Sequence, residues 1–151
     1  MSVHERLFPR MRQEGYRITS PATEQYNCIA WAAGADDVWW DPAEDYAWPD
    51  GVPRNYATAS LVSVFEGLGY GVCDSADLEA GFEKVAVYGD ATTYHHAARQ
   101  LSSGKWTSKL GPDEDIEHRS PESLSEYYGA AIILRRPMAT PPPGTPSAAA
   151  P

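Results

Sequence analysis

Cysteine is scarce in this chain: Cys28 and Cys73 are the only two among 151 residues. Two thiols do not make a disulfide framework, and no basic start leads into an apolar stretch, so a reducing, cytoplasmic setting is the expectation. Long apolar runs are missing as well. The longest, such as residues 130–134, fall far short of the roughly 20 needed to cross a bilayer, so no membrane role is expected. Positive charge is in short supply: 12 Lys and Arg face 21 Asp and Glu, for a net charge of -9. That balance has the wrong sign for neutralising phosphates and argues against nucleic acid as a partner. Gly67, Gly69 and Gly71 lack the Lys-Ser/Thr partner and following helix of a phosphate loop. No zinc-type ligand spacing occurs, and His95 and His96, adjacent on a strand, would point to opposite faces. Neither a cofactor nor a metal is expected.

Aromatic side chains, by contrast, are plentiful. Five Trp, nine Tyr and three Phe supply enough large apolar surface for one folded domain. Residues 1–20 read as an N-terminal arm and 21–138 as a single globular domain; 139–151, built of Pro, Gly, Ala, Ser and Thr, read as a disordered tail. Thr23 and Asn27 are candidate N-caps for a short Ala-rich helix over 27–33, with Cys28 in its first turn and Gly34 as its stop. Leu61, Val64, Phe65 and Leu68 share one face of a second helix, 58–68. Beyond Tyr70, strands are predicted over 84–88, 94–101 and 105–110, then a short helix over 120–127 with Pro121 at its first position and a core strand over 130–135. N-terminal helices packed on a mostly antiparallel sheet make an α+β fold.

Residues 35–54 form a long loop. It holds Asp36, Asp37, Asp41, Glu44, Asp45 and Asp50 between Trp39, Trp40 and Trp48, with no basic residue before Arg54. Long loops in compact domains are often functional, although these tryptophans equally suit capping the core. Residues 113–117 (DEDIE), with Glu122 and Glu126, read as a solvated acidic face.

The most informative pairing is Cys28 with the His95-His96 dipeptide. A thiol in the first turn of a helix has its anion favoured by the helix N-terminus, and a nearby imidazole can take its proton. Alternation puts His96, Ala98 and Gln100 on one face of a strand and His95, Ala97 and Arg99 on the other, which leaves both histidines open as the base. A third group would orient the imidazole. Ser108 is the first choice, placed by hairpin pairing roughly across from Ala98, with Thr107, Asp115 and His118 as further options. Asn27 or Gln25, with the Cys28 backbone N–H, are candidates to hold an oxyanion, and Trp39 and Trp40 to grip a substrate. The bland reading makes Cys28 a small buried hydrophobe, His96 a structural histidine and Cys73 a core residue or a strand end.

A Cys at the head of a helix followed by a His at the head of a strand resembles the layout of papain-like cysteine hydrolases, including the NlpC-type peptidases and CHAP amidases. The glycines of papain's own motif are absent from Gln25-Tyr-Asn-Cys28-Ile-Ala-Trp31. The blocks YNCIAWAAG (26–34), WWDP (39–42), EKVAVYGD (83–90), HAARQL (96–101), WTSKLG (106–111), DIEH (115–118) and YG (128–129) are similar to an uncharacterised bacterial domain family. That resemblance implies one small domain, supplies no substrate, and favours His96 over His95 because His96 opens one of the blocks.

Two functional expectations follow. One is a papain-like cysteine hydrolase or transferase acting on an amide or thioester bond of a protein or peptide-like substrate, with Cys28 as nucleophile, His96 as base and Ser108 as orienter. The other is a non-catalytic protein-interaction domain that uses the acidic, Trp-rich loop together with a strip of Arg99, Lys105 and Lys109.

Overall fold

Val85, Ala86, Val87 and Tyr88 are buried in succession, and a strand that is buried on both sides needs cover on both faces of its sheet. The computed structural model, which describes residues 2–138, supplies it. The expected tail at 139–151 lies outside the described residues. Seven strands are described: β1 (Arg17–Ser20), β2 (Gly71–Cys73), β3 (Phe82–Gly89), β4 (Tyr94–Gln100), β5 (Trp106–Lys109), β6 (Asp115–His118) and β7 (Ala131–Pro137). They form one sheet in the order β1-β6-β5-β4-β3-β7-β2, with every pairing antiparallel. The protein is an α+β fold.

One face carries α3 (Cys28–Ala32), α4 (Thr58–Gly67) and the long loop. Ile29, Ala32, Leu61, Val64, Phe65 and Trp48 pack there on Val85, Val87, Ala97 and Leu134. The 61/64/65 spacing read from the sequence is the buried stripe of α4. The other face is covered by α1 (Val3–Leu7), α2 (Pro9–Glu14), a 3-10 turn (Pro121–Leu124) and α5 (Ser125–Tyr128). Phe8, Met11 and Leu124 pack against Ala86, Tyr88, Ala98, Trp106 and Ile116 on that side. No described helix is long and apolar enough to cross a membrane.

Three strands depart from the sequence reading. β1 lies within the expected arm and pairs with β6 at the sheet edge, and β2 is a short strand on β7. β6 falls inside the stretch read as a solvated acidic face, yet Asp115 and Ile116 are buried. Asp115 and Glu117 alternate with Ile116 and His118, and pairing with β5 buries Asp115 against the preference of a carboxylate for solvent.

Candidate functional site

The local structure around Cys28 is set by Asn27. Its side-chain oxygen accepts from the Ala30 N–H at 3.2 Å, capping α3, and also from the Trp40 N–H at 3.2 Å, while its Nδ2 donates to the Trp40 carbonyl at 2.6 Å. The helix start and the long loop are therefore tied through one buried amide. Trp31, one turn further on, donates its Nε1–H to Thr107 Oγ1 at 2.9 Å, and the Arg99 guanidinium lies 5.2 Å over its ring. Arg99 and Thr107 are cross-strand partners on β4 and β5, so α3 lies across these two strands. One pleat further along the same face come Ala97 on β4 and Lys109 on β5. One turn back along α3 comes Cys28.

The sheet opens at this place. β4 and β5 pair only at Arg99 with Thr107 and at Gln100 with Trp106, whereas β5 continues to pair with β6 as far as Lys109 and Asp115. Cys28 is half-buried. Lys109 is fully buried, donates its Nζ to the Asp113 carbonyl, and sits 5.2 Å over the Tyr26 ring. Asp115, also fully buried, accepts a short hydrogen bond from the Tyr26 hydroxyl on Oδ2, while its Oδ1 is buried and has no partner. A thiol, an ammonium, a carboxylate and a phenol thus share the head of α3.

Burial pushes the Cys28 thiol up to about 11, opposed by the backbone amides of Ala97 and Ile29 and by the Lys109 ammonium. Burial pulls the Lys109 amine down, opposed by the Asp115 carboxylate and more weakly by Asp113, Glu114 and Cys28. The Tyr26 hydroxyl rises to about 12, through burial first and its bond to Asp115 second. Perturbed groups gathered in one place are a physical marker of a functional site.

The pairing of Cys28 with His96 is corrected by the strand's own alternation. Ala97 is the β4 residue facing α3, and His96, its neighbour, points to the other face. There its ring stacks on Tyr128 at 4.2 Å and 7° and lies 5.3 Å from Tyr88. Its Nε2 is buried without a partner, and burial holds the imidazole well below its ordinary value. Ser108 also faces that side, but it orients a different histidine: its Oγ is 2.7 Å from His118 Nε2, and His118 Nδ1 is 2.9 Å from the Ser120 carbonyl. A carbonyl only accepts, so Nδ1 carries the proton and the Ser108 hydroxyl donates to Nε2.

The remaining predicted residues have structural employment. Asn27 caps α3 and holds Trp40 through Oδ1 and one Nδ2 hydrogen, a structural role that ties its amide to those two segments. Gln25 is exposed, with its backbone N–H on Thr23 Oγ1. Trp40 packs against the core and its backbone bridges to Ala47; Trp48 is buried, with Nε1–H on the Pro53 carbonyl; Trp39 is half-buried. Lys109 leaves the expected surface strip because it is buried. No three described His, Cys, Asp or Glu side chains gather as a metal site. Sequence reasoning passed over Tyr26 and gave Lys109 and Asp115 other roles, although all three lie in the quoted YNCIAWAAG, WTSKLG and DIEH blocks. Convergence of those blocks is the signal that could have found them.

Fold and site together define an α+β domain with a half-buried cysteine at a helix head, set over a buried Lys, Asp and Tyr. Residues 17–135 match the family model described as Domain of unknown function (DUF7689), and the chain belongs to that family. No curated protein and no solved structure matches it significantly.

Proposed function

We propose that the domain is a thiol-dependent hydrolase or transferase acting on an amide or thioester bond, with Cys28 as nucleophile and Lys109 as the group that exchanges its proton. The observation that carries this reading is the buried Lys109–Asp115 pair of positions on β5 and β6 beneath the half-buried thiol. A fully buried lysine is rare outside a paired or chemical role. Burial favours the neutral thiol and loosens the hold of Lys109 on its proton, so Lys109 exchanges a proton with Cys28 more readily than an exposed lysine would.

The Cys28 S–H proton passes to the Lys109 amine, and the sulfur forms a bond to the carbonyl carbon. The bond from that carbon to the leaving nitrogen or sulfur breaks, and the leaving group takes the proton back from Lys109. Water, or another acceptor nucleophile, then cleaves the acyl–sulfur bond and restores the thiol. The papain-like resemblance supports only the nucleophile's place at a helix head against an antiparallel sheet: His96 lies on the other face, and His95, which shares Ala97's face by alternation, is an exposed ring beside Asp90.

The interaction-domain reading has less support. Trp40 and Trp48 close the core, and of the expected basic strip Lys109 is internal while Lys105 is exposed.

Iodoacetamide alkylation of Cys28, followed by mass spectrometry against pH, tests the proposal. Lys109→Met, an apolar replacement of similar length, is expected to slow alkylation near pH 8.5 about tenfold, while His96→Ala leaves it within about twofold. A rate that depends on His96 and is indifferent to Lys109 overturns the assignment.

A further inference from the structure

Asp115 has one oxygen that the fold does not use. Oδ2 accepts from Tyr26, whereas Oδ1 is buried and accepts nothing, in a residue with no exposed surface. A buried carboxylate oxygen without a donor is costly, and native proteins complete such groups with a water, an ion or a ligand, or keep them for a catalytic role. Asp115 stands directly across from Lys109 on the neighbouring strand, and its Tyr26 partner is two residues before Cys28. The free oxygen therefore belongs to the buried Tyr26, Lys109 and Asp115 group, whose Lys109 acts electrostatically on the Cys28 thiol.

On the reading that Cys28 is the nucleophile, we infer that Asp115 Oδ1 accepts a hydrogen bond from the substrate's N–H, making the substrate class a primary or secondary carboxamide. Esters and thioesters present a carbonyl without this donor. A carboxamide fits both partners of the cluster: its carbonyl oxygen accepts from Lys109 once that amine has taken the thiol proton, and its N–H donates to Asp115. A site built to receive an N–H discriminates strongly against an analogue that lacks it, because the buried acceptor is then left unpaired. Asp115 is thus a specificity-determining residue, distinct in role from Lys109, which handles the proton.

The test compares two alkylating probes of matched reactivity centre, iodoacetamide and methyl iodoacetate, on the intact chain. Cys73, the second thiol of the same molecule and half-buried on β2, serves as the internal reference for their intrinsic rate ratio. The amide-to-ester ratio at Cys28 is expected to exceed that at Cys73 by about tenfold, the worth of one hydrogen bond to a charged acceptor. Asp115→Asn should bring the two ratios within about twofold of each other, and Tyr26→Phe, which leaves both Asp115 oxygens in place, should keep the preference. Equal ratios at Cys28 and Cys73 in the unaltered protein overturn the inference, whether or not the Asp115 variant folds. If the ratios are equal while alkylation still responds to Lys109→Met, the amide preference fails and the nucleophile assignment stands. If Lys109→Met has no effect, the parent reading fails, whatever the ratio.

Discussion

Asn27 carries more of the site than its size suggests, because one amide holds three partners in two different segments. Its Oδ1 receives the Ala30 and Trp40 N–H groups and its Nδ2 holds the Trp40 carbonyl. Removing the side chain leaves a helix N–H and both Trp40 backbone groups without their partner. Asn27→Ala is expected to cost about 1–2 kcal/mol in a urea unfolding experiment, with Asn27→Asp recovering the cap but not the Trp40 carbonyl bond. Equal losses for the two variants would count against the capping role. The same residue explains why the thiol is placed where it is. Cys28 follows the cap directly, so its position is fixed by the helix start rather than by contacts of its own sulfur.

Among the elements, the long loop is held from two sides. Trp40 is anchored to Asn27 at one end, and near the other Arg54 donates to the carbonyls of Pro42, Ala43 and Tyr46 at 3.3, 3.0 and 3.4 Å. The single basic residue of this acidic segment is thus turned toward backbone acceptors. Arg54→Ala should speed hydrogen exchange at the Asp41 and Tyr46 amides, which bond to Ala47 and Ala43, by about tenfold, with α4 amides unchanged. Unchanged exchange at Asp41 and Tyr46 would mean that the Arg54 bonds do not hold the loop. The strands show how far the sequence can be read. Alternation puts Thr107 and Lys109 on one face of β5 and Trp106 and Ser108 on the other. The hairpin register that set Ser108 across from Ala98 agrees with the pairing of Arg99 with Thr107. What alternation does not reveal is which of two buried faces a residue meets. With both faces covered, the apolar contrast that normally marks the inside of a strand is absent. Alternation sets His96 opposite its neighbours on the strand, and only the packing shows that its face is the one away from Cys28.

At the scale of the whole molecule, two buried histidines couple stability to pH. Burial depresses His118 to about 4 and holds His96 well below its ordinary value. In the unfolded chain both take up protons near the usual histidine value of about 6.5. The unfolded state then binds more protons than the native state below that value. Stability is full above about pH 6.5 and falls as the solution is acidified toward about 4, where His118 also protonates in the native state. The loss attributable to His118 over that interval is about 3 kcal/mol. Urea midpoints measured across this range should fall with acidification, and His118→Asn should flatten part of the slope. A flat profile in the unaltered protein would contradict the buried, neutral state of both rings.

The amino-acid sequence by itself determined the local elements: the Asn27 cap, the α4 stripe, the alternation of β4 and β5, and the head-of-helix position of Cys28. Each depends on residues within a few positions of one another, where propensity, capping and period act directly. Tertiary structure decided what meets what. It buried Lys109 and Asp115, turned His96 toward Tyr128, gave Ser108 to His118 and parted β4 from β5 beside the thiol. These outcomes depend on layers packed against both faces of the sheet by segments far apart in the chain, and no local pattern records which face will be covered by which helix.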